Sequence, residues 1–265
     1  MKALALDFDG VICNSSRELF LVAAWTLADV LPHGVQLASI PAPDRAAPAD
    51  LERPFQTPLY RRFMRMMPLG NRAEDFGVAL VALLEARQIA DQVSYDAFFA
   101  TQDPAFLTEF HRRFYEVRHL FAATHPELWL SLQPAYQRML AFLRRHSDAV
   151  PMAIVTAKDR LSVRALLVAY GISGLFPEKY LLDKETGVSK VAHLECLRAL
   201  LGIEFPELCF VDDKLNHLER VAGLGVRCAL AAWGYNGPRE REEARKRGYL
   251  VCGLANLEAL LSPTG

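Results

Sequence analysis

The pattern of apolar and polar positions changes twice along the chain. A run without polar residues, Ala3 to Leu6, comes first and is typical of a strand buried on both faces. From Asn14 to about Gln133 the apolar residues recur at helical spacing, without strand alternation. After Pro134 short apolar runs alternate with helical segments, and this periodicity of βαβ units predicts a parallel sheet. The simplest organisation is one α/β domain that contains a helical insertion.

These patterns predict an α/β fold with two parts. Residues 1–13 and 134–265 should form a Rossmann-like parallel-sheet core with three α/β/α layers, and residues 14–133 an all-helical domain. The strands expected after Pro134 are Met152 to Val155, Tyr180 to Leu182, Leu208 to Val211, Val226 to Ala231 and Tyr249 to Cys252. The helices expected between them include Arg160 to Tyr170, Lys190 to Leu201 and Leu215 to Leu224.

Local signals in the helical domain predict two helix starts and one loop. Asn71 is expected to cap a helix that runs to about Arg87, with Glu74 as the reciprocal partner. Asp103-Pro104 should open another helix, which ends near Leu120. The stretch from Pro32 to Pro58 contains four further prolines, so we expect it to be a loop.

Polar side chains stand where three of the apolar runs end. Asp7-Phe8-Asp9-Gly10-Val11 follows the first strand, Thr156 follows the second, and Asp212-Asp213 ends a later one. Parallel sheets bind ligands beyond the carboxyl ends of their strands, so these residues should meet at one edge. Lys190 opens a predicted helix behind Ser189, a candidate cap. A cation at a helix start is unfavourable by roughly a few tenths of a kcal/mol, which suggests a compensating anion.

This set of residues suits phosphoryl transfer through an aspartyl phosphate. Asp7 can attack phosphorus, and Asp9 can serve first as the acid and then as the base. Two ionised carboxylates about 4 Å apart repel by roughly 4 kcal/mol at an effective dielectric near 20, so the site needs cations. Oxygen ligands from Asp7, Asp213 and a backbone carbonyl favour Mg²⁺. Lys190 adds a positive charge, and the Thr156 hydroxyl can donate to phosphate.

Composition narrows the choice of partner. The chain has 265 residues, 52% of them hydrophobic, with 30 basic and 31 acidic side chains and a net charge of -1. This balance gives no electrostatic case for nucleic acid or an anionic membrane, so a small ligand is expected. No apolar run approaches the length of about 20 residues that a membrane span needs. Five cysteines without a C-x-x-C pair suit a reducing compartment, and we expect a cytoplasmic protein.

The motifs resemble those of the haloacid dehalogenase-like superfamily, and specifically of its phosphatases. The resemblance rests on D-x-D-G-V at Asp7 to Val11, Thr156 after an apolar run, Lys190, and Asp212-Asp213, in that order. It implies that Asp7 is the nucleophile and Asp9 the acid/base, whose backbone carbonyl also binds Mg²⁺. Asp213 would be the principal acidic metal ligand, with Asp212 either a ligand or adjacent to one. The insertion matches the family's helical cap, which closes over substrate.

Several positions depart from the family pattern or compete for its roles. Where related motifs carry Asp or Asn, four residues after the metal-binding Asp, this chain has His217. His217 could hydrogen-bond as a neutral imidazole or lie on a helix surface. Lys184 competes with Lys190 for the lysine role, and Lys190 is favoured because it opens the helix before the last motif strand. Lys158 and Lys214 are interpreted as solvated.

The alternatives differ in the fate of the phosphoryl group. Asp9 argues against a dehalogenase, which has no leaving alkoxide to protonate. A phosphonate hydrolase needs a cap amine, yet all 11 basic Lys or Arg positions between Asn14 and Gln133 are arginine. A phosphomutase and a catalytically weak binding relative remain open, and a signalling receiver module is disfavoured. Phosphoglycolate-like or sugar phosphates are the leading substrate classes, with Asn71 and Arg72 as candidate substrate contacts.

Overall fold

The computed structural model describes residues 1–31, 40, 48–70, 72–187 and 189–262. The chain divides into two compact units, Met1–Asn14 with Pro134–Gly265, and Ser15–Gln133. We call the first the sheet unit and the second the helical unit.

In the part of the chain that the structure describes, six parallel strands, numbered in chain order, form the sheet with the spatial order β3-β2-β1-β4-β5-β6. The first strand lies at the centre because its apolar residues can be buried on both faces and paired on both edges. Leu6 is the register partner of Ile154 on one side and Val211 on the other. The strands are β1 (Ala3–Leu6), β2 (Met152–Val155), β3 (Leu181–Leu182), β4 (Leu208–Asp212), β5 (Arg227–Ala231) and β6 (Leu250–Cys252).

The described residues of the helical unit form seven helices and no strand, as their apolar spacing predicts. Aromatic side chains fill their interior, where Phe20 and Phe63 pack edge to face with ring centres 5.2 Å apart. The helices are α1 (Ser16–Val30), α2 (Pro48–Phe55), α3 (Pro58–Met66), α4 (Ala73–Leu84), α5 (Gln92–Phe99), α6 (Pro104–Thr124) and α7 (Pro126–Ser131).

The prediction of a loop from Pro32 to Pro58 is wrong for the residues of α2. The expectation counted prolines as breakers, but α2 begins at Pro48 and ends one residue after Pro54. Proline suits the first helical position because the missing N–H has no partner there, whereas Pro54 cannot donate to the carbonyl of Asp50, and the helix ends one residue later. Residues 32–39 and 41–47 lie outside the described residues.

The start of α4 also differs from the prediction. Asn71 lies outside the described residues, and the helix begins at Ala73. Asp75, rather than Glu74, accepts the hydrogen bond of the backbone N–H of Arg72, at 2.9 Å. Glu74 lies 2.7 Å from the imidazole of His111 instead, so the carboxylate one position further on satisfies the helix start.

A buried ion pair links α1 and α6. The Arg118 guanidinium donates to both carboxylate oxygens of Glu18 at 2.8 and 3.0 Å, and the indole N–H of Trp129 adds a third donor at 3.3 Å. Both charged side chains are buried, so each depends on the other for its stabilisation.

Arg118→Met should therefore lower the free energy of unfolding of the helical unit by about 3–5 kcal/mol, because it leaves the Glu18 carboxylate buried without its cation. The matched control is Arg113→Met, which removes exposed pairs with Asp29 and Glu116 and should cost less than about 1 kcal/mol. Urea unfolding followed by circular dichroism gives both values. Equal losses in the two variants would contradict the prediction.

Among its described residues, the sheet unit has five α-helices. One face of the sheet packs a core that includes Ala5, Val155 and Phe210 against α10 and α11, and the alternate residues Leu4 and Leu6 are buried on the other. The predicted α/β parallel-sheet fold is confirmed. The helices are α8 (Gln137–His146), α9 (Arg160–Ala169), α10 (Lys190–Leu201), α11 (Leu215–Ala222) and α12 (Pro238–Lys246).

The side chain of Ser189, the candidate cap of α10, makes no capping hydrogen bond among the described residues. Across the described ranges, no helix has the length and apolar character that crossing a membrane requires.

Candidate active site

Asp7 follows β1 directly, and its carboxylate is held from two sides. The backbone N–H of Phe8 donates to Oδ1 at 2.8 Å, and the ammonium of Lys190 lies 2.9 Å from the same oxygen. The backbone N–H of Asp7 donates to the carbonyl of Val211 at 2.9 Å, which fixes the residue against β4. Both hydrogen bonds from described residues end on Oδ1. This leaves Oδ2 as the oxygen best placed to act as a nucleophile.

Gly10 allows the loop after β1 to pass against Asp213. Its φ is +80°, in the left-handed region that favours glycine, and a Cβ at this position would clash with the Asp213 carboxylate. The chain curls here because the carbonyl of Phe8 accepts from the backbone N–H groups of Ile12 and Cys13, at 2.9 and 3.3 Å. The glycine of the motif thus brings the first and last acidic motifs together.

Asp9 forms an ion pair with Lys158, whose ammonium lies 2.9 Å from Oδ1. The interpretation of Lys158 as solvated was wrong, since the residue is only 3% exposed. Lys158 stands three residues after the end of β2, the strand next to β1, and its backbone N–H donates to the hydroxyl oxygen of Thr156 at 3.2 Å. Its position shortly after a predicted strand is visible in the sequence, but the pairing of β2 with β1, which brings it to Asp9, is not. Lys214, also interpreted as solvated, is buried as well.

Lys190 enters the site from the first turn of α10. Its ammonium donates to the carbonyl of Val155 at 2.5 Å and lies 2.9 Å from Asp7 and 3.4 Å from Asp212. Burial lowers the pKa of Lys190, but the charges of Asp7 and Asp212 outweigh it and raise that pKa above its usual value. These two carboxylates are the compensating anions expected for a lysine at a helix start. Its competitor Lys184 pairs with Glu185 instead.

The adjacent carboxylates of Asp212 and Asp213 have different surroundings. Asp212 accepts from the backbone N–H of Lys214 at 2.9 Å and from Nδ1 of His217 at 2.9 Å. Burial raises the pKa of Asp212, but the charges of His217 and Lys190 outweigh it and hold that pKa to about 2. Both carboxylate oxygens of Asp212 therefore already have hydrogen-bond or ion-pair partners.

Asp213 has the opposite character. One oxygen, Oδ2, accepts from the backbone N–H of Tyr235 at 2.5 Å, while Oδ1 is buried and has no hydrogen-bond partner among the described residues. Burial, together with the charge of Asp212, raises the pKa of Asp213 well above its usual range. A buried, unpartnered carboxylate oxygen of this kind is what a metal ion would satisfy.

The loop after β5 holds the site together through hydrogen bonds to both acidic motifs, a role that the sequence analysis did not identify. The indole N–H of Trp233 donates to the carbonyl of Val11 at 3.1 Å. The side-chain amide of Asn236 donates to the backbone carbonyl of Asp213 at 3.0 Å. At Gly234 a Cβ would clash with Asp213 and with the Gly10 carbonyl, so only glycine fits there. The loop therefore braces both acidic motifs.

The charges of the site fit a divalent cation. The site has four carboxylates, those of Asp7, Asp9, Asp212 and Asp213. Three buried lysines lie at the same motifs, namely Lys158, Lys190 and Lys214. A dianionic phosphate would add two more negative charges, which the site must neutralise. Asp7, Asp212 and His217 also lie within ligand distance of one another, at 4.8 Å or less, but the Lys190 ammonium already contacts both carboxylates. The unpartnered Oδ1 of Asp213 is the better candidate ligand.

Comparison with known proteins identifies the family. A family model described as haloacid dehalogenase-like hydrolase matches residues 1–223. The chain belongs to the haloacid dehalogenase-like hydrolase family. A solved structure from Haemophilus somnus, described as a predicted phosphoglycolate phosphatase, covers 99% of this chain and 98% of its own at 18% identity, with a TM-score of 0.64. A haloacid dehalogenase-like hydrolase from Streptococcus pneumoniae covers 99% of both chains at 12% identity, with a TM-score of 0.62. At these identities the likeness shows the fold.

One curated relative of this haloacid dehalogenase-like hydrolase aligns with a part of the chain. The phosphoglycolate phosphatase of Pectobacterium atrosepticum is 32% identical over 92 residues, which are 34% of this chain. The aligned stretch spans 38% of the length of that relative. The resemblance stated from the motifs is confirmed at the level of the family.

Proposed function

We propose that this hydrolase is a Mg²⁺-dependent phosphatase of a small phosphorylated metabolite, of the phosphoglycolate or sugar phosphate class. The observation that carries the proposal is Asp7 beyond the central strand, with the Lys190 ammonium 2.9 Å from one carboxylate oxygen. The names of the Pectobacterium relative and the Haemophilus structure support the substrate class. The division into a catalytic core over 1–13 and 134–265 and a cap over 14–133 is part of the proposal.

In the first step, Oδ2 of Asp7 attacks phosphorus and the bond from phosphorus to the ester oxygen breaks. Asp9 gives its proton to the departing alkoxide, which leaves as an alcohol. Lys190 balances the charge on Asp7 and on the phosphoryl oxygens. The Thr156 hydroxyl accepts from the Lys158 N–H and can donate its own hydrogen to phosphate. The product of this step is an aspartyl phosphate on Asp7.

In the second step, water attacks the phosphorus of the aspartyl phosphate. Asp9, now a carboxylate, takes a proton from this water, and the bond between phosphorus and Oδ2 breaks to restore Asp7. The Lys158 ammonium, 2.9 Å from Asp9, stabilises the carboxylate form that this step requires. Inorganic phosphate is released.

The residues that would hold Mg²⁺ are Asp7, the backbone carbonyl of Asp9, and Asp213. Their oxygen donors are the type that Mg²⁺ prefers, and the bound ion would neutralise phosphate charge in the transition state. We leave Asp212 out of the ligand set because its oxygens already accept from Lys214, His217 and Lys190. We further propose a reducing, cytoplasmic location, since the five cysteines are free and four of them are buried.

The substrate contacts remain predictions. Asn71 lies outside the described residues. Arg72 precedes α4, and its side chain is 53% exposed, beside Glu74. We expect neither nucleic acid nor a membrane as a partner.

A phosphate-release panel tests the proposed function. The purified protein should release phosphate from at least one small phosphorylated metabolite when Mg²⁺ is present, with Asp7→Asn as the blank. Analysis of the organic product separates hydrolysis from transfer: a phosphoryl group found on another hydroxyl would favour a mutase. Halide release from haloacids without any phosphate release would overturn the phosphatase proposal, and turnover of no substrate would favour a binding protein.

A further inference from the structure

Lys190 depends on three acceptors for its position. Its ammonium has three hydrogens, and the carbonyl of Val155, Oδ1 of Asp7 and Oδ2 of Asp212 lie at 2.5, 2.9 and 3.4 Å. The Phe210 ring lies 5.5 Å from the ammonium and supplies no acceptor oxygen. The Lys190 ammonium thus contacts two carboxylates, those of Asp7, the candidate nucleophile, and Asp212. A shift of the Asp212 carboxylate would therefore change the contact of Lys190 with Asp7.

His217 orients this second carboxylate. Its Nδ1 lies 2.9 Å from Oδ2 of Asp212, the same oxygen that faces Lys190, while the backbone N–H of Lys214 holds Oδ1. The imidazole and Asp212 are both buried, so solvent offers no ready replacement for a lost donor. The hydrogen bond joins α11 to the end of β4 and fixes the rotation of the Asp212 carboxylate.

We propose that His217 is a positioning residue, which holds Asp212 so that Lys190 stays against Asp7 in the orientation that phosphoryl transfer needs. Without the imidazole donor, Asp212 would draw Lys190 toward itself and away from Oδ1 of Asp7. This inference rests on the proposed function for its kinetic consequence, but the arrangement of Lys190 can also be measured without turnover.

The kinetic experiment compares His217→Ala, His217→Gln and His217→Asn with para-nitrophenyl phosphate as the substrate. Asn keeps a donor at the position of Nδ1, whereas Gln carries it one bond further out. We expect Ala and Gln to lower kcat by about 10- to 100-fold with KM little changed, and Asn to recover most of the loss. His146→Ala, which removes a histidine paired with the exposed Glu258, is the control and should leave kcat unchanged.

A double-mutant cycle with Asp212→Asn tests the route through Asp212. If His217 acts through that carboxylate, the double variant should lose no more activity than the worse single variant. Additive losses would overturn the proposal. Equal losses in Ala, Gln and Asn, matched by equal falls in melting temperature, would mean a merely structural role and would also overturn it.

A spectroscopic measurement separates this inference from the phosphatase proposal. The nitrogen resonance of the buried Lys190 ammonium, assigned by its disappearance in Lys190→Arg, should shift in His217→Ala and stay near the wild-type position in His217→Asn. An inactive wild type with this pattern would contradict the phosphatase but support the positioning role. An unchanged resonance in His217→Ala would overturn the positioning role, whatever the activity.

Discussion

Asp7→Asn should lower phosphate release by at least about a thousandfold and leave the fold intact, because an amide cannot form the aspartyl phosphate. The amide oxygen can still accept the hydrogen bond of the Phe8 N–H, which holds the turn after β1 at 2.8 Å. The apolar residues of β1 are untouched, so the sheet keeps its central strand. Initial rates with the best substrate of the panel measure the loss.

The control for Asp7→Asn is Asp148→Asn, an equivalent change at an exposed position of the sheet unit. It should retain wild-type kcat and KM. Circular dichroism and the melting temperature must show that the Asp7 variant is folded. A folded Asp7→Asn protein that releases phosphate at the wild-type rate would remove Asp7 as the nucleophile and leave the motif without its proposed chemistry.

Much of the fold could be predicted because periodicity is a local property. The bounds of β2 and α10 agree with the prediction, since an apolar run and a helical repeat are contained in their own residues. The positions of prolines predicted the ends of helices and loops less reliably. Pro48 and Pro54 are typical loop residues in sequence, yet Pro48 occupies the first position of α2, where proline is tolerated, and Pro54 lies inside that helix, one residue before its end.

The site could be predicted only in part, for a different physical reason. Acidic residues at strand ends are visible in sequence because the topology brings those ends together. The ion pair of Lys158 with Asp9 joins residues 149 positions apart, and the hydrogen bond from Trp233 to Val11 spans 222 positions. No local pattern encodes such contacts. From sequence alone, a lysine that follows a strand is therefore interpreted as solvated, because the neighbouring strand that supplies its partner is not known.

Removing Mg²⁺ should stop phosphate release. The melting temperature of an Asp213 variant, measured without substrate, should show that this residue binds the ion. Burial and the charge of Asp212 raise the pKa of Asp213, so at neutral pH its ionised form opposes folding when no cation is bound. Asp213→Asn removes that charge, and its amide oxygen can still accept the hydrogen bond of the Tyr235 N–H. In EDTA, this variant should therefore melt at or above the wild-type temperature.

Addition of Mg²⁺ should reverse this order. At about 100 times its dissociation constant, the ion should stabilise wild type by about 2.7 kcal/mol, which scanning calorimetry detects as a higher melting temperature. Asp213→Asn should show little of this gain, while Asp148→Asn should respond as wild type does. Full activity in excess EDTA would remove the metal from the mechanism. An undiminished Mg²⁺ response in Asp213→Asn would instead move the ion to other ligands, because the unpartnered Oδ1 is the feature that assigns it to Asp213.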